Sequence, residues 1–216
     1  MDFISDAELE KIPIKDNGEE MIMLEESSWL KFEIGTYISE EGENYVRMAK
    51  KVRSSVAEKL KRASLNLPRG FMFLLRCGYR PLELQKKIYM RRFNELKKEH
   101  FDWSDEKIKE ETSKFVAPVD KNNVPPHSTG GTVDISIIDE SGEKLDMGTR
   151  FGDFTDKANT YSEDISEEAR RNRKMLINVL SKEGFVNYPL EWWHWSYGDR
   201  YWAAELKKEF AIYGSV

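Results

Sequence analysis

The chain has 216 residues, an apolar fraction of 39% and six tryptophans, enough to bury a sizeable core and too apolar for a disordered chain. Its net charge of -5 argues against the basic face that nucleic-acid binding requires. Cys77 is the sole cysteine, so no intrachain disulfide can form, and no run approaches the roughly 18 apolar residues of a membrane span.

The opening stretch MDFISDAELEKIPIKDNGEE is acidic where a secretory leader needs a basic region, so a cytoplasmic protein with no membrane partner is expected. Residues 1–44 read as an irregular extension packed on the body of one domain spanning 1–216, with an apolar patch at Trp29, Phe32 and Ile34 that has strand character. From Tyr45 to Leu65 the apolar residues Val46, Ala49, Val52, Val56, Leu60 and Ala63 step by three and four, which predicts one helix packed on a flat surface. Pro68 and Gly70 interrupt it, and the run Phe71–Leu75 predicts a buried strand ending near Gly78.

Pro81 then opens a helix over Leu82–Glu99, whose basic pairs Arg91-Arg92 and Lys97-Lys98 alternate with Glu95 and Glu99 and read as a solvated face. Ser104, followed by Asp105 and Glu106, is the N-cap of a third helix that stops before Pro118. Residues 122–131 are loop by composition, and Thr132–Ile138 alternates as a strand with Val133, Ile135 and Ile137 on its core face and Asp134 on the other. Leu145–Thr160 is a long loop, Ile165–Lys182 a helix ended by Gly184, and Phe185–Trp202 two strands with Gly198-Asp199 as a turn. This order predicts an α+β fold, a mostly antiparallel sheet with helices packed on one side; an α/β sheet is the alternative.

Two stretches carry chemistry: PPHSTGGTVD, with His127 and Asp134, and EWWH, with Glu191 and His194. A catalytic zinc site needs three nitrogen, sulfur or carboxylate donors and an open fourth position, and His127, Asp134 and His194 supply them for one ion per chain. Water on such an ion ionises near pH 7, and Glu191 is then the candidate base for its proton. On a regular strand residues i and i+3 face opposite sides, so Glu191 and His194 can meet at one ion only through irregular backbone just before His194. Arg80, between strand and helix, is a candidate for stabilising a tetrahedral oxyanion. Taken singly, each has a plainer reading: a loop histidine, a core histidine, a turn-closing aspartate, a surface ion pair. The pattern His-x6-Asp with a distant Glu-x2-His is much narrower than any member.

With these residues in place the chain resembles the zinc D-alanyl-D-alanine dipeptidases, a family related to zinc D,D-carboxypeptidases. The likeness rests on GYRPLELQ (78–85), HSTGGTVDIS (127–136), LDMGTRFGDF (145–154) and EWWHW (191–195), in family order, and covers roughly Tyr45 to Tyr197. It implies zinc ligands at His127, Asp134 and His194, a catalytic base at Glu191 and a transition-state arginine at Arg80. It also implies that Asp153 binds the ammonium of a small dipeptide such as D-Ala-D-Ala, in cell-wall metabolism. Pro125 stands two positions before His127, where the vancomycin-resistance type carries a hydroxyl residue, which leaves the substrate open. A D,D-carboxypeptidase or L,D-endopeptidase acting on peptidoglycan peptides, and a non-catalytic binding module of the same fold, are the competing expectations.

Overall fold

The computed structural model describes residues 4–120 and 122–216. In chain order the elements are α1 (Asp6–Leu9), β1 (Met21–Met23), β2 (Leu30–Phe32), α2 (Thr36–Ser39), α3 (Glu43–Ala49), β3 (Lys51–Arg53), α4 (Ser54–Ser64), β4 (Met72–Cys77), α5 (Leu82–Glu99) and α6 (Asp105–Ser113). There follow β5 (Thr132–Ile138), α7 (Glu167–Ser181), β6 (Val186–Asn187), β7 (His194–Ser196) and α8 (Arg200–Glu205). One sheet has the order β2-β4-β5-β7-β6; β2 runs parallel to β4 and the other neighbours are antiparallel. This is the α+β class with a mostly antiparallel sheet that the sequence predicts. No described helix is long and apolar enough to cross a membrane.

The alternation along β5 places Val133, Ile135 and Ile137 in one apolar cluster with Phe73 and Leu75 of β4. Onto that face pack Val56, Leu60 and Ala63 of α4 and Leu176, Val179 and Leu180 of α7, each set spaced by three or four. The opposite face is not solvent either: all seven β5 residues are buried, Thr132, Asp134 and Ser136 included. A sequence with one polar face here predicts exposure on that side, yet the strand is central and its polar face is the floor of a cavity walled by α5. The β4–β5 register shifts between Leu75 and Cys77, so that Cys77 lies opposite Asp134 and turns to the cavity side.

The single helix expected over 45–65 is two, α3 and α4, separated by β3. Val52, counted in the helical stripe, pairs with Ile22 of β1 in a separate two-stranded antiparallel sheet. Arg53 pins the break: its Nε donates to the Thr129 carbonyl (2.9 Å) and its Nη2 to Asp16 (2.9 Å). Tertiary pairing outranks a helical pattern that continues on both sides of it. The patch at Trp29–Ile34 does hold an edge strand, β2. At the other end Gly198-Asp199 turns the chain into α8 rather than continuing a strand to Trp202. Asp199 caps that helix, accepting from the Trp202 N–H at 2.8 Å.

Candidate active site

Four segments converge on the polar face of β5. The first is the turn from β4 into α5. Gly78 is wedged against the backbone of residues 49–52, where an added Cβ would lie 2.5 Å from the Lys51 carbonyl, so only glycine permits the approach. The Tyr79 N–H also donates to that carbonyl (2.8 Å), which fixes the chain as it delivers Arg80. The Arg80 guanidinium, 7% exposed, donates to Gln85 Oε1 (2.9 Å) and to the Tyr37 hydroxyl (3.1 Å), and its Nη2 stands 3.6 Å from Asp134 Oδ2.

His127 sits in a 3-10 turn, Pro126–Thr129, which a proline starts and Gly130 ends in the left-handed region at φ 73°. Its Nδ1–H donates to the Gly78 carbonyl at 2.8 Å, so that Nε2 is the nitrogen turned to Asp134 Oδ1, at 3.2 Å. His194 opens β7 directly across the ladder from Asp134, with Nδ1 3.2 Å from the same oxygen. Both imidazoles therefore address one carboxylate oxygen.

Glu191 reaches the cluster because the backbone before His194 is irregular, as the sequence argument requires. Residues 188–193 form consecutive turns: the Glu191 N–H donates to the Tyr188 carbonyl (3.1 Å), and the His194 N–H to that of Glu191 (3.1 Å). Asn187 staples this loop from inside, its Nδ2 donating to the carbonyls of Glu191 and His194 at 3.0 Å each. Glu191 Oε2 ends 3.6 Å from His194 Nδ1, with the residue 6% exposed.

The electrostatics follow from charges crowded out of water. Burial opposes ionisation of Asp134, but His127 and His194 hold its carboxyl far below the usual carboxylate range. Burial likewise depresses His127, yet the Asp134 charge prevails and raises it to about 10. Burial lowers His194. Glu191 is pushed up to about 8, by burial first and the Asp134 charge second, which poises it to exchange a proton near neutral pH.

Among the described residues, Asp134, Glu191 and His194 form one group of potential metal ligands with donor atoms within 4.8 Å of one another, and Cys77, His127 and Asp134 form another. The trio His127, Asp134 and His194 is thus joined through Asp134. Two imidazoles and a carboxylate, one imidazole already oriented by a backbone carbonyl, are a donor set suited to zinc. Asp153 is not brought to the cluster. Its carboxylate accepts from the Thr155 N–H at 2.9 Å, although its neighbours Gly152 and Phe154 line the same cavity. Tyr37, Gln85 and Asn187, which the sequence reading did not select, hold Arg80 and the Glu191 loop. Only Gln85 carried a signal, as the last residue of the GYRPLELQ block.

The model of the D-Ala-D-Ala dipeptidase family matches residues 43–212. A D-alanyl-D-alanine dipeptidase of Synechocystis sp. is 31% identical over 109 residues, 43% of this chain and 44% of that protein, so the match spans less than half of the relative. One from Enterococcus faecium is 28% identical over 140 residues, 63% of this chain and 67% of that protein. Among solved structures, a vancomycin resistance D,D-pentapeptidase in complex with Zn(II) is 18% identical, with 72% of this chain and 78% of that chain covered at a TM-score of 0.46. With its family model spanning the site and most of the fold, the chain belongs to the D-Ala-D-Ala dipeptidase family.

Proposed function

We propose that the chain is a zinc-dependent dipeptidase that hydrolyses D-Ala-D-Ala or a similar small dipeptide, with one ion held by His127, Asp134 and His194. When bound, zinc supplies Lewis acidity toward a carbonyl and lowers the pKa of water toward 7. Glu191 takes the proton of the attacking water and returns it to the leaving amine, since both transfers need one group that changes charge near neutral pH. Arg80 stays protonated and donates to the oxygen on which negative charge develops, oriented for this by Gln85 and Tyr37. His127 keeps its Nε2 available because Gly78 holds Nδ1. Asp153 would receive the substrate ammonium after giving up its bond to Thr155.

The observation that carries this reading is geometric: a buried Glu191 carboxyl, its Oε2 3.6 Å from His194 Nδ1, stands beside a cluster of two imidazoles and a carboxylate. A structural metal site, with its fourth position closed by protein, has no use for such a group. Glu191→Ala should cut kcat on D-Ala-D-Ala by at least about 10²–10⁴-fold while metal content stays at one zinc per chain. His194→Ala should instead lose the metal. Metal analysis beside the hydrolysis assay separates the cases: a Glu191→Ala enzyme that still turns over sinks the base assignment, and a zinc-free, inactive wild type sinks the enzyme. For Asp153→Asn the expected result is a KM raised about tenfold with kcat kept, the loss of one charge-assisted contact. An unmoved KM removes Asp153 from the mechanism.

A further inference from the structure

His127 stands on a short turn, not on the sheet, so something else must fix where its imidazole points. The carbonyls that follow it both accept from Arg53: that of Thr129 from Nε and that of Gly130 from the backbone N–H, each at 2.9 Å. The same stretch of chain also fixes the ring. The Gly78 N–H donates to the Ala49 carbonyl at 2.7 Å, and the Gly78 carbonyl in turn receives His127 Nδ1–H at 2.8 Å. Residues 49–53 therefore position His127 from two sides, backbone and imidazole.

Arg53 is itself buried, and the rest of its guanidinium reaches both ends of the chain. Nη1 donates to the Glu19 carbonyl at 2.5 Å, and Nη2 to Asp16 Oδ2 at 2.9 Å and, more weakly, to the Gly214 carbonyl at 3.3 Å. The Tyr213 ring lies 5.0 Å from its Cζ. Asp16 accepts in addition from the Gly214 N–H at 2.6 Å, and Glu19 from the Tyr213 hydroxyl at 2.8 Å. Glu19 also accepts from the hydroxyl of Ser54, the residue after Arg53, at 2.8 Å. Met21 of β1 completes the contact, because an added Cβ at Gly130 would lie 2.5 Å from its sulfur. One planar fork thus holds carbonyls from three segments at once, which the single ammonium of a lysine does with much less geometric control. The family match runs from 43 to 212, so Asp16, Glu19, Met21, Tyr213 and Gly214 all lie outside it. The clamp is built from residues that the family likeness does not supply.

We infer that Arg53 is a positioning residue for the metal centre: gripped by Asp16 and Tyr213, it sets the zinc affinity of the site by holding the His127 turn in place. This rests on the zinc peptidase reading above and gives the segment 16–21 a part in it. The test is the zinc affinity of the full chain, measured by competition with a chromophoric chelator well below the melting temperature of every variant. Arg53→Met should raise the zinc Kd about 10–100-fold, the usual cost of losing a group that orients a ligand. Arg53→Lys should recover part of that loss, and Asp16→Asn should shift Kd the same way by a smaller factor. With zinc raised until the site refills, kcat on D-Ala-D-Ala should return to within about threefold of wild type, because the clamp acts only through the ligand turn. Val179→Ala, a cavity in the core beneath α7, is the control for general destabilisation and should leave Kd within about twofold.

An unmoved Kd in folded Arg53→Met overturns the clamp, as does an equal rise in Val179→Ala or a kcat that stays low at full zinc occupancy. If Arg53→Met does not fold, Asp16→Asn decides, and an unmoved Kd there overturns it. A wild type that binds no zinc sinks the zinc reading and the clamp together. A wild type that binds zinc without hydrolysing D-Ala-D-Ala sinks only the substrate assignment, and the Kd comparison still decides for or against Arg53.

Discussion

Asp134 decides what its neighbours can be. Its carboxylate touches both imidazoles at 3.2 Å and stands 3.6 Å from Arg80, so its negative charge raises His127 and Glu191 and answers a buried guanidinium. Asp134→Asn keeps the shape and removes the charge. The expected outcome is loss of zinc together with destabilisation of about 3–5 kcal/mol, the usual result of leaving a buried cation unpaired, read by urea unfolding of the metal-free protein. A metal-free stability equal to wild type would deny Asp134 this role. Residues whose chemistry is fixed by type were legible in the sequence: a ligand must be His, Asp or a near equivalent, and its spacing survives as a motif. Asn187 and Tyr37 were not, because they act by position. An asparagine that holds two carbonyls across a hairpin loop looks, in sequence, like any asparagine in a loop.

At the scale of elements, the Glu191 loop is braced by a helix that never touches the cavity. Arg173 of α7 is 2% exposed and donates to three backbone carbonyls: Met147 at 2.8 Å, Asn159 at 2.6 Å and Lys157 at 2.7 Å. These straddle Ala158, whose own carbonyl receives the Trp192 N–H at 3.1 Å, next to Glu191. Trp192 Nε1 also donates to Thr149 of the same long loop at 2.9 Å. Burial with no paired carboxylate lowers Arg173 to about 10, still charged at neutral pH. Arg173→Met should therefore lower kcat about tenfold or more through misplacement of Glu191, with zinc retained and partial recovery in Arg173→Lys, which keeps a donor. A kcat at the wild-type value would mean the loop holds its shape without the clamp. None of this shows in the sequence, which reads a helix over 165–182 and a loop over 145–160. The same limit explains the interrupted helix at 45–65: the three-and-four spacing is real on both sides of β3, and only the β1 partner, some thirty residues earlier, reveals that Val52 leaves it.

For the molecule as a whole, the site couples stability to pH in a direction opposite to that of an ordinary salt-bridged carboxylate. Glu191 is raised to about 8 from an ordinary 4.5, and His127 to about 10 from 6.5. In each case the folded protein holds a proton that the unfolded chain has already released, so the metal-free fold is favoured below the ordinary value and loses that stability as pH climbs to the raised one. The window opens near pH 4.5 for Glu191 and extends toward pH 10 with His127. Asp134, held low, contributes the reverse dependence, lost only below about pH 4 as the carboxyl nears its ordinary 3.8. Zinc reverses the upper branch, because an ion needs the neutral imidazole and competes with that proton, so its affinity rises as pH rises. At a hundredfold excess over Kd, bound zinc adds about 2.7 kcal/mol, or roughly 5–10 °C in Tm for a chain of this size. Melting curves with chelator and with zinc, taken from pH 5.5 to 8.5, should therefore diverge as pH rises, the metal-free Tm falling and the gap widening. Glu191→Gln should flatten the lower part of the metal-free slope and leave the His127 part. A metal-free Tm that climbs with pH across this range would show that Glu191 and His127 do not hold their protons in the metal-free fold.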